Sequence, residues 1–204
     1  MDRMRIDPHR PEPEIVERAV EALRGGAVIA YPTETLYGLG ANPFDPAAYE
    51  RILKLKGREA DKALPVVVAD LSQLDRITGR LPAVVGPLSE KFWPGPLTLV
   101  VPVRPDLPGA LAGWSTVAVR VSGLALAREI PRVAGFPLTA TSANRSGEPP
   151  VRSAAELPTA LAERLGGVVA GVSPGGAPST LVDSTTTPME ILRPGATEVD
   201  PAAL

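Results

Sequence analysis

The chain has no cysteine and only one histidine among its 204 residues. Without cysteine it forms neither a disulfide nor a thiolate metal site, and it has no thiol nucleophile. The single histidine, His9, lies in a polar N-terminal segment beside Pro8 and Pro11. A Ser-His-Asp triad or a histidine-built zinc site is therefore not expected, nor is any tightly bound metal held by protein side chains.

Excess charge of one sign and aromatic side chains are also scarce. The net charge is −2, from 21 basic and 23 acidic residues, and aromatic residues make up 4% of the chain. No global field would attract the chain to nucleic acid or to a membrane, so any anion site must be a local cluster. There is no signal peptide and no apolar run long enough to span a bilayer. These features favour a soluble, cytoplasmic protein.

Apolar runs alternate with amphipathic segments along the chain, and this alternation predicts an α/β fold. We expect a single domain over 1–204, with a core from about 14 to 195 and helices around a largely buried mixed sheet. The predicted helices cover 14–24, 46–55, 71–78, 82–92, 124–134 (with a kink or break at Pro131) and 153–165. The predicted strands cover 27–30, 64–69, 97–103, 116–122, 137–141, 168–172, 180–184 and 189–193.

The stretch 31–40, YPTETLYGLG, follows a short apolar run that is predicted to be a buried strand. It contains a proline, two glycines, the carboxylate of Glu34 and the hydroxyl groups of Thr33, Thr35 and Tyr37. Its pattern has neither the period of a strand nor that of a helix. Polar groups just beyond a buried strand, with glycine allowing close backbone approach, are typical of a turn that lines a ligand site. An ordinary Pro/Gly connection is the alternative.

Four further polar sets lie at or near the ends of predicted elements, or interrupt an apolar strand. They are Lys54, Lys56, Arg58 and Lys62; Ser142 and Asn144; Ser179 and Thr180 with Arg193; and Arg120. A guanidinium inside an apolar strand needs an anionic partner or an opening to water, so an ion pair or a ligand site would explain Arg120. The basic set is either a solvated helix end or a phosphate clamp.

None of these sets contains an obvious general base, and without a histidine partner Ser142 is not expected to be a nucleophile. Such a site would act by positioning anions and neutralising their charge, as in phosphoryl or nucleotidyl transfer. Ser142 and Asn144 are suited to orient a ligand, although a turn and helix cap is the commoner explanation for such residues. Magnesium would arrive with a nucleotide, because it keeps waters and phosphate oxygens as ligands.

Seven motifs, taken in order, resemble the YrdC-like family of threonylcarbamoyl-AMP synthases. They are PTETLYGLG (32–40), KLKGR (54–58), WPGPLT (93–98), VAVR (117–120), SANRSG (142–147), STLVD (179–183) and LRPG (192–195). Each motif alone is weak, whereas seven in this order are specific. The resemblance implies an α/β fold with a twisted mixed sheet around a large, positively lined cavity.

The same resemblance implies L-threonylcarbamoyladenylate synthase activity, in which L-threonine, bicarbonate and ATP give threonylcarbamoyl-AMP and pyrophosphate. ATP would be a substrate, with Mg²⁺ carried by the nucleotide. The product would pass to a separate transferase complex that modifies the adenosine beside the anticodon of certain tRNAs. Weak binding of RNA is a further expectation. Without the extra C-terminal domain of longer members, the chain resembles the short form.

The resemblance also assigns site residues. The family's signature falls on the catalytic set Lys56, Arg58, Ser142 and Asn144. Contacts to threonine are expected from Thr35, Arg120, Ala140 and Ser179, with Arg120 facing the carboxylate. The residues expected around ATP are Arg58, Lys62, Thr116, Ser142 and Arg193.

The chain departs from the family pattern at Glu59, Val67 and Pro178, where many members have a proline, a histidine and a glutamate. These changes concern the affinity for substrate and not the fold. Two other functions remain open: a related carbamoyl-adenylate enzyme with another acceptor, and an RNA-binding module. The first would need additional domains, and the second is disfavoured by the near-neutral charge and the few aromatic residues.

Overall fold

The structure is a computed structural model that describes residues 3–5, 7–57 and 63–200. Within these residues helices alternate with strands, as the predicted α/β class requires. The helices are α1 (Pro13–Arg24), α2 (Pro46–Lys56), α3 (Leu71–Leu74), α4 (Val85–Phe92), α5 (Ala125–Ala134) and α6 (Thr159–Ala162). The strands are β1 (Arg3–Arg5), β2 (Ile29–Pro32), β3 (Tyr37–Gly40), β4 (Val66–Val68), β5 (Leu97–Pro102), β6 (Thr116–Val121), β7 (Leu138–Thr139), β8 (Thr141–Ser142), β9 (Gly167–Ala170), β10 (Thr180–Asp183) and β11 (Glu190–Arg193).

The described strands form two mixed sheets, whereas the sequence predicted one. The five-stranded sheet has the order β1-β9-β2-β3-β8, and the six-stranded sheet has the order β11-β10-β5-β6-β4-β7. In the five-stranded sheet, β2 runs parallel to β9 and antiparallel to β3. In the six-stranded sheet, β6 runs parallel to β4 and antiparallel to β5. The prediction of mixed pairing is therefore confirmed, and the prediction of a single sheet is wrong.

The chain crosses from one sheet to the other at Ala140. The predicted strand over 137–141 is divided into β7, in the six-stranded sheet, and β8, in the five-stranded sheet. Ala140 N donates to Pro65 O at 2.8 Å, and Ala143 N donates to Tyr37 O at 2.9 Å. Two strands of two residues each are too short to show a periodicity of their own, which is why the sequence indicated one.

Three apolar clusters fill the space between sheets and helices. α1 and α5 pack on one face of the five-stranded sheet, where Leu23 and Ile130 are fully buried. α2 and α6 lie on its other face and bury Ile52 and Leu161. α3 and α4 cover one face of the six-stranded sheet, where Leu88 is fully buried. The opposite face of the six-stranded sheet carries polar side chains and borders a cavity.

The stretch 31–40 is a β-hairpin, and not the irregular segment that its pattern indicated. β2 extends to Pro32, and β3 begins at Tyr37 and pairs with it antiparallel. Two glycines hide this strand, because glycine is untypical of strand interiors. A Cβ atom added to Gly40 would lie 2.9 Å from Tyr31 Cε1 and equally close to Leu138 Cγ. Glycine is therefore required there by close packing.

Two of the predicted helices, 124–134 and 153–165, differ in the structure from their predictions. A kink or break was predicted at Pro131; α5 does not break there, and Pro131 O accepts from Gly135 N at 3.1 Å. The segment 153–165 is not one helix but a 3₁₀ turn (Ala154–Glu156) followed by α6, because Pro158 cannot continue a helix that begins before it. Within the described part of the chain, no helix is long and apolar enough to cross a membrane.

Candidate active site

A cavity of about 520 Å³ is bordered by both sheets, a volume typical of a small-molecule site. One side of it is the uncovered face of the six-stranded sheet. We call this side the sheet face, and its residues are Val67, Thr98, Ala118, Arg120, Ser179 and Leu181. The other side is the tip of the β2–β3 hairpin with β8. We call it the hairpin side, and its residues are Thr33, Thr35, Leu36, Tyr37, Gly38, Thr141 and Ser142.

The register of the six-stranded sheet explains why the residues of the sheet face point the same way. Leu181 of β10 is opposite Thr98 of β5, and Val67 of β4 is opposite Arg120 of β6. Ala118 lies two residues before Arg120 and so shares its face, because side chains alternate along a strand. Val119, between Ala118 and Arg120, points to the other face, into the apolar cluster under α3 and α4.

Arg120 is a nearly buried cation, with 8% of the residue exposed. Its Nη1 lies 3.4 Å from Oε1 of Glu34, so the two form an ion pair. The structure shows no hydrogen bond from this guanidinium to any of the residues it describes. A planar fork of N–H groups that opens into a cavity is suited to bind a carboxylate through two parallel hydrogen bonds. The ion pair that the sequence offered as one explanation of Arg120 is therefore present, and the residue also lines the cavity.

Ser179 lines the same cavity, and its hydroxyl oxygen accepts from two donors. Its Oγ accepts from Thr98 Oγ1 at 2.8 Å and from Arg193 Nη2 at 3.3 Å. Arg193 Nη2 also donates to Ser179 O at 2.9 Å. A hydroxyl has two lone pairs and one proton, so these bonds leave the Ser179 proton for an acceptor in the cavity. Burial and the nearby charge of Arg120 lower the pKa of Arg193 below its usual value.

Hydrogen bonds of its hydroxyl groups fix the hairpin side in place. Thr33 Oγ1 donates to Leu36 O at 2.7 Å and lies 3.2 Å from Thr35 Oγ1, which fixes the turn beside the cavity. Tyr37 OH lies 2.6 Å from Val169 O and accepts from Gly171 N at 2.8 Å. Burial raises the pKa of Tyr37 to about 12, so its hydroxyl stays protonated at neutral pH.

Lys56 lies behind the hairpin side, at the C-terminal end of α2, and only 4% of it is exposed. Its Nζ donates to Ser142 O at 2.8 Å, to Asn144 O at 3.1 Å and to Asn144 Oδ1 at 3.2 Å. Ser142 Oγ donates in turn to Asn144 Oδ1 at 2.5 Å. The ammonium group therefore orders the turn 142–144, and of these residues Ser142 lines the cavity.

The structure brings most of the predicted site residues to one cavity. Those that line it are Thr35, Arg120, Ala140, Ser142, Ser179 and Arg193. Lys56 and Asn144 support the lining from behind. Thr116 lies on the strand of Arg120 but four residues away, roughly 13 Å along the strand, and outside the lining. Arg58, Glu59 and Lys62 lie outside the described residues, so their predicted positions stay predictions.

Two residues beside the predicted set were given no role from the sequence. Thr98 lies in a motif that the sequence singled out, and its place opposite the Arg120 strand became evident only from the strand register. Glu34 was recognised as the one carboxylate of the hairpin, but its partner is 86 positions further along the chain. Val67 and Pro178, where the chain departs from the family pattern, both line the cavity.

No group of three or more histidine, aspartate or glutamate side chains converges as a metal site within the described ranges. The described residues that line the cavity include two arginines and no acidic side chain. The expected positive lining is therefore present on the sheet face and at its edge. This charge is suited to an anionic ligand.

Comparison with known proteins identifies the family. The family model Sua5_yciO_yrdC, described as "Telomere recombination", matches residues 21–195. The chain therefore belongs to this family.

Relatives and solved structures agree with this membership. A threonylcarbamoyl-AMP synthase of Bacillus subtilis is 41% identical over 187 residues, which cover 90% of this chain and 54% of the relative. A protein of the same name from Nitrosococcus oceani is 41% identical over 159 residues, covering 78% and 86%. The crystal structure of P. abyssi Sua5 complexed with L-threonine is 36% identical and superimposes with a TM-score of 0.86, covering 96% and 58%. The chain thus spans about half of the first relative and most of the second.

Proposed function

We propose that this chain is an L-threonylcarbamoyladenylate synthase, which forms threonylcarbamoyl-AMP and pyrophosphate from L-threonine, bicarbonate and ATP. The single observation that carries the proposal is Arg120, a nearly buried guanidinium at the cavity with no hydrogen bond to a described residue. A relative of the same fold has a structure in complex with L-threonine, which supports the proposal. A buried cation of this kind is suited to the carboxylate of an amino acid.

In this proposal the non-reacting end of threonine binds the sheet face. Arg120 takes the carboxylate, and Ser179 donates its remaining proton to the same group. Thr35 and the backbone near Ala140 border the rest of the substrate from the opposite side. The amino group then remains free to react, because none of these contacts uses it.

The reaction has two bond-forming steps. The threonine nitrogen attacks the carbon of bicarbonate and water leaves, which gives an N-carboxylate. An oxygen of that carboxylate attacks the α-phosphorus of ATP, and pyrophosphate leaves with the electrons of the broken P–O bond. Neither step needs a protein nucleophile, so the contribution of the protein is to hold three anions together and offset their repulsion.

We assign the nucleotide to the remaining polar residues, with Mg²⁺ arriving on its phosphates. The proposed contacts are Arg58, Lys62, Thr116, Ser142 and Arg193. Lys56 and Asn144 act by ordering the turn that carries Ser142. The product is a reactive mixed anhydride, so a transferase that modifies tRNA is the proposed recipient, and the cytoplasm is the proposed location.

Pyrophosphate release tests this function directly. We would incubate the protein with ATP, Mg²⁺ and bicarbonate, with and without L-threonine, and measure pyrophosphate. The expected result is release that requires both threonine and bicarbonate. Release without threonine would indicate another acceptor and overturn the assignment. No release from a folded protein that binds RNA in a salt-dependent manner would favour the RNA-binding alternative.

A further inference from the structure

Glu34 lies at the tip of the hairpin but reaches across to the end of β6. Its Oε1 lies 3.4 Å from Arg120 Nη1 and accepts from Gly123 N at 3.1 Å. Its Oε2 accepts from the hydroxyl of Ser122. The two donors lie two and three residues after Arg120 in the chain, so the carboxylate is anchored at three points around one strand end.

This arrangement leaves Glu34 at the cation but outside the cavity. The residues that line the cavity include Thr33, Thr35 and Leu36, the neighbours of Glu34, but not Glu34 itself. It therefore binds one Nη group of Arg120 from behind, and the other N–H groups are left for the cavity. Among the described residues, no other acidic group is within ion-pair distance of Arg120.

We propose that Glu34 is a positioning residue for the substrate carboxylate, acting through Arg120. A guanidinium binds a carboxylate through two hydrogen bonds only when its plane is held in the correct orientation. Glu34 supplies that orientation before substrate arrives. It also joins the two sides of the cavity, because its backbone belongs to the hairpin and its partners belong to the six-stranded sheet. The assignment rests on the proposed function.

Two effects of opposite sign follow from removing the charge of Glu34. The Glu34 carboxylate repels the substrate carboxylate, so removing the Glu34 charge favours binding of the substrate. Without Glu34, however, the Arg120 guanidinium samples several rotamers, and this disorder disfavours binding of the substrate carboxylate. The second effect dominates in this proposal, because the Glu34 carboxylate is already compensated by Arg120 and two hydrogen-bond donors. The expected sign is therefore weaker binding of threonine.

The substitution Glu34→Gln tests the proposal, because it keeps the size of the side chain and removes its charge. We expect the KM for L-threonine to rise roughly tenfold while kcat stays within about twofold, since Arg120 contacts an end of the substrate that does not react. The dissociation constant for threonine, measured by calorimetry, should rise to the same extent. The control Glu129→Gln removes a surface ion pair with Arg132 and should change neither constant.

A double-mutant cycle distinguishes positioning from a general loss of structure. Glu34→Gln should add little to the threonine KM of Arg120→Ala, because Glu34 acts only through that cation. An unchanged or lower threonine KM in Glu34→Gln, or additive effects in the cycle, would overturn the proposal. If the wild-type protein itself fails to bind threonine, the proposed function fails and this assignment fails with it. If it binds threonine and Glu34→Gln binds equally well, only the role of Glu34 is refuted.

Discussion

The two sides of the cavity use their cations in opposite ways. On the sheet face, Arg120 lines the cavity, pairs with Glu34 through one Nη group and makes no hydrogen bond to a described residue. Behind the hairpin side, Lys56 donates to oxygens of Ser142 and Asn144 in the turn 142–144. Both residues are almost completely buried. The two cations therefore have similar burial and the same charge, and they differ in the partners that the structure shows for them.

The partners of the two cations account for the residue type at each position, arginine at 120 and lysine at 56. A guanidinium has five N–H groups in a fixed plane, so it can serve Glu34 with one edge and a ligand with another. An ammonium is a compact point charge, so it suits a set of carbonyl oxygens that converge from several directions. Exchanging the two residue types would satisfy neither place.

The largest effect is expected on the sheet face. Arg120→Ala should lower kcat/KM for L-threonine on the order of a hundredfold or more. It removes the cation proposed to bind the substrate carboxylate, and it leaves the Glu34 carboxylate without its ion-pair partner. Steady-state kinetics over a range of threonine concentrations would measure this. The far-UV circular dichroism spectrum should stay native. The control Arg104→Ala disrupts an exposed ion pair with Asp106 and should leave the kinetics unchanged. Unaltered threonine dependence in Arg120→Ala would refute the role assigned to this residue.

A smaller effect, of a different kind, is expected behind the hairpin side. Lys56→Met keeps the apolar stem and removes the ammonium, which leaves buried oxygens of Ser142 and Asn144 without this donor. We expect kcat/KM to fall roughly tenfold to fiftyfold for threonine and ATP alike, with a loss of about 2–3 kcal/mol in the free energy of unfolding. Lys54→Met, on the exposed side of the same last helical turn, is the matched control.

Kinetics and chemical denaturation together decide how Lys56 acts. Loss of ATP affinity at unchanged stability would support the phosphate clamp that the basic cluster first suggested. A joint loss of stability and activity would support the ordering of the turn 142–144. The sequence could not separate these roles, because a lysine at the end of a helix has the same pattern in both.

The sequence predicted the sheet face better than the hairpin side. β6 is a long apolar strand, so a charged residue within it is conspicuous, and this pattern identifies Arg120. The hairpin was missed because Gly38 and Gly40 replace the side chains that would have marked a strand. Gly40 packs closely against the ring of Tyr31 and against Leu138, contacts that only the folded chain reveals.

Contacts between residues far apart in the chain also could not be predicted from the sequence. The division into two sheets depends on the crossing at Ala140, between strands of two residues each. The partnership of Glu34 with Arg120, and that of Thr98 with Ser179, join distant parts of the chain without a local pattern. The candidate residues could be named from motifs, whereas the partners that position them could not.

A moderate effect is expected from Thr98→Val, which keeps the shape of the side chain and removes its hydroxyl. Ser179 Oγ would lose the donor at 2.8 Å, and its proton would no longer be directed only into the cavity. We expect the KM for threonine to rise about fivefold, which corresponds to the loss of one ordinary hydrogen bond. Thr185→Val, at an exposed hydroxyl that donates to Asp183, is the control. An unchanged KM would show that Ser179 is oriented without Thr98.

The smallest effect is expected from Tyr37→Phe, which loosens the attachment of the hairpin side to β9. At pH 8 the loss of the hydrogen bonds to Val169 and Gly171 should lower the free energy of unfolding by about 1 kcal/mol. Burial raises the folded-state pKa of Tyr37 to about 12, above the usual value near 10. The wild-type protein therefore holds the full contribution of Tyr37 below pH 10 and loses it as the pH rises towards 12. Denaturation curves at pH 8 and pH 11 should show the gap between wild type and Tyr37→Phe narrowing, and a gap independent of pH would contradict this account.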